Sequence, residues 1–130
     1  MMATVGEGPV VGRRPIVVVD DDRDIRETLA EILTDEGYEV HTARNGAEGL
    51  EVVARVRPCL VLLDLFMPVM DGAEFRRRQQ GDPAIAEVPV VVISAAAGLE
   101  RKVESLALAG WLEKPIHIDA LFAIVGRYCG

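Results

Sequence analysis

The sequence is poor in aromatic residues and in positive charge. Only 5% of its 130 residues are aromatic, and 14 lysines and arginines stand against 21 aspartates and glutamates, which gives a net charge of −7. Direct binding to nucleic acid needs clustered basic side chains that displace phosphate counterions, usually beside aromatic rings for stacking. The composition therefore argues against a direct nucleic-acid partner.

Long hydrophobic runs and cysteines are also scarce. No apolar stretch approaches the ~20 residues of a membrane-spanning helix, and Met1–Pro15 lacks the apolar segment of a secretory signal. Two cysteines, Cys59 and Cys129, supply neither a disulfide framework nor a four-ligand zinc site. We therefore expect a cytoplasmic protein with no membrane partner, in a reducing compartment, with both cysteines as buried and inert thiols.

Half of the residues are hydrophobic, which at this length is typical of one globular domain with a real core. Glycines and a proline interrupt residues 1–14, where no apolar periodicity survives, so this segment is predicted to be a flexible tail. The folded domain is expected to span residues 15–130. We expect no effector domain in this chain, because the length leaves no room for one.

Short apolar runs alternate with amphipathic stretches along the domain. The runs predict five strands, at 16–19, 38–42, 60–63, 90–93 and 111–113. Helices are predicted between Asp22 and Gly37, between Asn45 and Pro58, over about Ala73–Gln80 and Glu100–Ala109, and from Ile118 to Cys129. The last of these is expected to bury Ile118, Leu121, Phe122, Val125 and Cys129. This βα order, repeated five times, predicts an α/β fold with a doubly wound parallel sheet.

Polar side chains follow four of the predicted strands. Asp20, Asp21 and Asp22 come after the first strand, and Asp64, Ser94 and Lys114 come after the third, fourth and fifth. The carboxyl ends of parallel strands meet at one edge, so these side chains are expected to share a pocket.

Carboxylates that lie close together repel one another unless a cation neutralises them, and Mg²⁺ prefers oxygen ligands. This set of groups suits the formation of an acyl phosphate, because an aspartate can attack phosphorus while a divalent ion, a hydroxyl and a lysine stabilise the group that is transferred. Asp22 is interpreted as only a helix cap or a minor contact near the metal, and Arg76-Arg77-Arg78 as a solvated helix face.

Four sequence fragments at these strand ends make the chain resemble the receiver domains of two-component response regulators. They are Val18-Val19-Asp20-Asp21-Asp22, Leu63-Asp64 with Met67-Pro68 and Met70-Asp71-Gly72, Val92-Ile93-Ser94-Ala95, and Lys114-Pro115. The resemblance covers about Pro15 to Cys129. It implies a flavodoxin-like (βα)₅ fold with strand order 2-1-3-4-5, which is the order that members of this family adopt.

The resemblance also implies a role for each site residue. Asp64 would be the phosphoacceptor, and Asp21, Asp64 and the backbone carbonyl of Phe66 would ligate Mg²⁺ (or Mn²⁺), with Asp20 acting through water. Lys114 would bind a phosphoryl oxygen, and its peptide bond to Pro115 would be cis. Ser94 and Trp111 would be the switch residues. The phosphoryl donor would be a histidine kinase or a histidine phosphotransfer protein, and the output a downstream protein target.

Two departures from the family pattern are expected to matter. Phe66 and Ala96 stand where polar residues often flank the attacking water, so slow self-dephosphorylation is predicted. The link between the fourth helix and Trp111 is also short, which places the coupling of Ser94 to Trp111 in doubt.

Two other functions remain open on the sequence alone. The triple aspartate after a buried strand also fits a haloacid-dehalogenase-like phosphatase, although the chain is short for that fold and lacks a late pair of carboxylates. A receiver-like scaffold that binds partners without phosphorylation is the second. A homodimer through the last helices and strand is a further open alternative.

Overall fold

The computed structural model describes residues 14–67, 70–95 and 99–130. Its strands are β1 (Ile16–Val19), β2 (Val40–Ala43), β3 (Leu60–Asp64), β4 (Val90–Ser94) and β5 (Gly110–Glu113). Its helices are α1 (Arg23–Asp35), α2 (Gly46–Val56), α3 (Gly72–Gln80), α4 (Leu99–Ser105) and α5 (Ile118–Cys129). The predicted tail lies outside the described residues except for Arg14 and stays a prediction.

The five strands form one parallel sheet in the order β2-β1-β3-β4-β5, which confirms the expected topology. Side chains alternate between its faces, so Val17 and Val19 pack into one hydrophobic cluster and Ile16 and Val18 into the other. The first cluster includes residues of α2 and α3, and the second includes residues of α1 and α5. Burial on both faces explains why β1, β3 and β4 read as uninterrupted apolar runs.

Three helices begin directly after a polar residue whose side chain caps the first turn. The Asp22 side chain accepts hydrogen bonds from the backbone N–H groups of Asp24 and Ile25, which confirms its role as a cap. Asn45 and Asp71 cap α2 and α3 in the same way. Among the described residues, no helix combines the length and the apolar character needed to cross a membrane.

Two helix predictions were wrong in detail. Helix α4 ends at Ser105 and not near Ala109, because the chain turns through Ala107, whose φ of 52° is left-handed. The amide of Ala109 can then donate to the carbonyl of Val90 and begin the pairing of β5 with β4. In α5, Leu121 and Val125 are buried as predicted, whereas Phe122 and Cys129 are only half-buried and Ile118, the first residue of the helix, is 43% exposed.

The interpretation of Arg76-Arg77-Arg78 as a solvated face was wrong for one of its members. Arg76 is buried and donates from Nε to the carbonyl of Leu106 (2.9 Å) and from Nη2 to that of Ala107 (2.6 Å). Its Nη1 donates to Oε1 of the buried Gln79 at 2.7 Å. Arg76 thereby holds α3 against the turn that follows α4, while Arg77 and Arg78 are exposed and pair with Glu74.

The prediction of two inert thiols was also wrong. Cys59 and Cys129 form a disulfide with a Cα–Cα distance of 5.4 Å, across a sequence separation of 70 residues. Cys59 directly precedes β3 and Cys129 ends α5, so the fold brings two distant cysteines together. Neither is fully buried.

Candidate functional site

The predicted site residues lie at one edge of the sheet. Asp20 follows β1 and Asp64 ends β3, and these neighbouring strands pair Val19 with Leu63, so the two aspartates lie side by side. Ser94 ends β4, and Lys114 follows β5. The backbone N–H of Lys114 donates to the carbonyl of Ser94 at 3.0 Å, which joins the ends of these two strands.

The acidic residues form one compact cluster. Carboxylate oxygens of Asp20, Asp21 and Asp64 all lie within 4.8 Å of one another. Asp20 and Asp64 are buried, whereas Asp21 is exposed. The Lys114 ammonium nitrogen lies 3.7 Å from Oδ2 of Asp20 and 3.8 Å from Oδ1 of Asp64. The one ammonium therefore lies beside two of the three carboxylates, those of Asp20 and Asp64.

Burial controls the acidity of this cluster. It raises the pKa of Asp64 to about 7; the negative charge of Asp20 adds to the rise, and Lys114 opposes it. Burial also raises the pKa of Asp20, although the hydrogen bond from the backbone N–H of Asp22 and the charge of Lys114 act in the opposite direction. Without a further cation, the site disfavours full ionisation.

The cluster fits a divalent cation. Oδ2 of Asp20 is buried and accepts no hydrogen bond among the described residues, and its ion-pair partner, the Lys114 ammonium, lies 3.7 Å away, so a bound ion could satisfy this oxygen. The donors are all oxygen atoms, and one of the three carboxylates faces solvent, which suits Mg²⁺ because this ion keeps several of its waters. Asp20, Asp21 and Asp64 are the residues that could hold it.

The remaining predicted residues lie around this cluster or on the adjoining face of the sheet. The backbone N–H of Phe66 donates to Oδ1 of Asp64 at 3.3 Å, while its ring is 59% exposed. Ser94 is buried. Trp111 is partly buried on β5 and packs against the cluster that contains Val92 and Leu108. Ala96 lies outside the described residues, and its role stays a prediction.

Sequence reasoning missed one residue that supports the acidic edge. Nη1 of Arg26, in the first turn of α1, donates to the carbonyl of Asp20 at 2.8 Å. This bond fixes the turn that carries Asp20 and Asp21. The only available signal was a basic residue one helical turn beyond the aspartates. The peptide bond between Lys114 and Pro115 is cis, as the resemblance implied.

Comparison with known proteins identifies the family. Residues 16–126 match the family model described as the response regulator receiver domain. The chain belongs to the response regulator receiver domain family. Receiver domains are the phosphoacceptor modules of two-component signalling, which is a signalling role and not that of a metabolic enzyme.

Relatives of this receiver domain include response regulators of mycobacteria. Response regulator MprA of Mycobacterium leprae is 39% identical over 112 residues, which are 83% of this chain and 47% of that protein. Response regulator MprA of Mycobacterium ulcerans is 38% identical over the same length and with the same coverage. This receiver domain thus spans about half the length of the curated relatives it matches.

Solved structures of receiver proteins resemble the chain in fold. Chemotaxis protein CheY4 of Vibrio cholerae has a TM-score of 0.83 and 29% identity, with 90% of this chain and 99% of that chain covered. A response regulator receiver protein from Pseudomonas putida has a TM-score of 0.80 and 25% identity, covering 91% and 99%. NtrX from Brucella abortus, crystallised with ATP, has a TM-score of 0.78 and 33% identity, covering 88% of this chain and 26% of that one.

Proposed function

We propose that Asp64 accepts a phosphoryl group from the phosphohistidine of a histidine kinase or a histidine phosphotransfer protein, in a reaction that requires Mg²⁺ or Mn²⁺. The observation that carries this proposal is the cluster of Asp20, Asp21 and Asp64 within 4.8 Å, facing the ammonium of Lys114. Asp21, Asp64 and the Phe66 carbonyl are the proposed direct ligands of the ion, and Asp20 is proposed to reach it through water.

Each residue of the site has a different proposed role in the phosphoryl transfer. An oxygen of the Asp64 carboxylate bonds to phosphorus as the bond from phosphorus to the donor's imidazole nitrogen breaks, and that nitrogen keeps the electron pair. Lys114 places positive charge beside Asp64, where it can bind a phosphoryl oxygen. A divalent ion held by Asp21 and Asp64 would supply positive charge that keeps the carboxylates ionised and offsets the charge of the transferring group.

The response to phosphorylation is proposed to be a change of protein-binding surface. A phosphoryl group adds about −1.5 to −2 charges at the site. Ser94 ends the strand next to Asp64, and the backbone bond from Lys114 joins it to the end of β5, the strand that carries Trp111. We propose that Ser94 and Trp111 move together, shift a pre-existing equilibrium and alter the face of β5, α4 and α5 for a downstream protein. This function would be carried out in the cytoplasm, and dimerisation through the same face is an alternative readout.

Treatment with a small phosphodonor tests the proposal directly. With acetyl phosphate and Mg²⁺, we expect one base-labile phosphate per chain, together with a change in the emission of Trp111, the only tryptophan. Intact-mass measurement counts the phosphate, and fluorescence follows the switch. Both signals should vanish when Mg²⁺ is chelated and in Asp64→Asn.

Different results distinguish the other functions. Continuous release of phosphate from a small phosphoester, without a stable labelled protein, would support the phosphatase. Absence of labelling by acetyl phosphate or by a phosphorylated histidine kinase would contradict the phosphoacceptor role and support the scaffold. Phosphate labelling without any change in Trp111 emission would contradict the proposed role of Trp111 as a switch residue, but not the role of Asp64 as the phosphoacceptor.

Replacing Phe66 with Asn is expected to accelerate self-dephosphorylation about tenfold, a difference of about 1.4 kcal/mol in the barrier, comparable to one hydrogen bond to water. The exposed ring of Phe66 follows Asp64 by two residues, where it can hinder water and offers no polar group to orient it. Loss of phosphate from the purified phosphoprotein measures the rate. Phe66→Leu, which stays apolar, is the matched control; an equal rate in Phe66→Asn and the wild type would contradict the prediction.

A further inference from the structure

The disulfide lies at the opposite end of the sheet from the acidic cluster and borders a cavity. Cys59 precedes β3, whose far end carries Asp64, and Cys129 is the last residue of α5. Both cysteines line a surface cavity of about 590 Å³, together with Arg14, Arg57 and Tyr128. Neither sulfur belongs to the acidic site, so the proposed function does not account for this pair.

The surroundings of the pair accommodate the reduced form as well as the oxidised form. Sγ of Cys59 lies 3.3 Å from the carbonyl oxygen of Arg14 and 3.4 Å from that of Pro15, so a thiol here would have an acceptor in place. The backbone N–H of Cys59 donates to the carbonyl of Pro15 at 2.9 Å in either state. Helix α5 remains docked through the buried Leu121 and Val125, which lie about two turns and one turn before Cys129.

The charges at the cavity favour attack by an anionic thiol. Among the described residues that line the cavity, Arg14 and Arg57 are basic and exposed, and Glu87 is acidic. Positive charge raises the local concentration of an approaching thiolate and stabilises the protein thiolate that leaves. Disulfides of cytoplasmic proteins are mostly transient or redox-sensing and seldom permanent structural links.

We propose that Cys59 and Cys129 form a reversible thiol–disulfide exchange site whose reductant is an anionic thiol. The thiolate attacks one protein sulfur and forms a mixed disulfide, while the other protein sulfur leaves as a thiolate and takes up a proton. A second thiol molecule attacks the mixed disulfide and releases the second protein thiol. Overall, two thiols are oxidised to one disulfide, and the protein gains two electrons and two protons.

Exchange at this site controls the last turn of α5. The residues of that turn, 126–129, are exposed or half-buried. The disulfide, the bond from the Tyr128 hydroxyl to the carbonyl of Ala109 and the partial packing of Tyr128 and Cys129 on the core hold the turn in place. Reduction removes the covalent link to the start of β3 and leaves the buried part of α5 packed. The expected response is local fraying of the helix end, without loss of the fold.

Reduction kinetics of the full chain under native conditions test the proposal. We expect the rate, followed by thiol alkylation and mass measurement, to rise linearly with 2-mercaptoethanesulfonate while the far-ultraviolet circular dichroism stays unchanged. Amide exchange in the last turn of α5 should become at least tenfold faster on reduction. Free thiols under oxidising buffer, or a rate independent of thiol concentration because reduction waits for unfolding, would overturn the proposal.

Charge variants test the class of reductant. Arg57→Gln is expected to lower the ratio of rates for 2-mercaptoethanesulfonate and neutral 2-mercaptoethanol about twofold, the effect of removing one nearby charge in water. Arg55→Gln, on the same stretch of chain but outside the cavity lining, should leave that ratio unchanged. An unchanged ratio in Arg57→Gln would overturn the preference for an anionic thiol. The double variant Cys59→Ser, Cys129→Ser should show fast exchange in the last turn with or without thiol.

Discussion

Asp64→Asn is expected to stabilise the metal-free protein at pH 8 by about 2–4 kcal/mol while it abolishes phosphoryl acceptance. The Asp64 carboxylate is buried beside Asp20, and its pKa is raised to about 7. Its ionisation at pH 8 therefore costs folding free energy, and the neutral amide of Asn avoids this cost. Urea unfolding in the presence of a chelator measures the change.

The pH dependence of unfolding provides a sharper version of this prediction. A carboxyl group with a pKa near 3.9 in the unfolded chain and about 7 in the folded chain binds its proton more tightly when folded. The stabilisation due to this proton is complete below about pH 4 and is lost as the pH rises through about 7. Asp64→Asn should flatten this part of the curve of unfolding free energy against pH.

Two further measurements test whether the stabilisation by Asp64→Asn comes from the acidic site and not from the loss of any one negative charge. Asp35→Asn removes an exposed carboxylate at the end of α1 and should change stability by less than about 0.5 kcal/mol. Saturating Mg²⁺ should stabilise the wild type more than Asp64→Asn, since the variant lacks one proposed ligand. Parallel pH curves for the wild type and Asp64→Asn would contradict the raised pKa of Asp64.

Arg76→Met is expected to destabilise the protein by about 3 kcal/mol, or roughly 10 °C in melting temperature. The substitution removes charge-assisted hydrogen bonds to two carbonyls after α4, and it leaves Oε1 of the buried Gln79 without this donor. Burial lowers the pKa of the Arg76 guanidinium, and the charge of Glu87 opposes this shift. Thermal and urea unfolding measure the loss.

The same helix offers matched controls for this second prediction. Arg77→Met and Arg78→Met remove the exposed partners of Glu74, and each should cost less than about 1 kcal/mol, as is usual for surface ion pairs. Arg76→Lys keeps the charge but not the fork of donors, so an intermediate loss is expected. Equal effects at all three arginines would mean that Arg76 does not hold α3 to the turn after α4.

Local pattern was sufficient to predict much of the fold and the acidic site. The first strand was predicted at its observed bounds because a run of branched apolar residues between Pro15 and Asp20 has few alternatives. The convergence of Asp20, Asp64 and Lys114 followed from the parallel sheet, since parallel strands end at the same edge.

The features that the sequence did not reveal depend on contacts between distant residues. Arg76 is buried because it donates hydrogen bonds to carbonyls 30 and 31 residues later in the chain. The helical periodicity of the sequence around Arg76 does not indicate such a distant contact. The cysteine pair spans 70 residues, and its approach depends on where α5 ends. Helix α4 was predicted too long because an alanine, and not a glycine, adopts the left-handed turn that follows it.

The proposed phosphoacceptor Asp64 and the disulfide cysteine Cys59 lie at opposite ends of strand β3. Five residue-to-residue steps separate Cys59 from Asp64. At about 3.3 Å each they amount to about 17 Å, which is about twice the screening length of about 8 Å in physiological salt. A charge gained at one end is therefore weakly felt through solvent at the other. Charge therefore couples phosphorylation and thiol exchange only weakly, and communication between the two inputs would have to pass through α5, which both are proposed to alter.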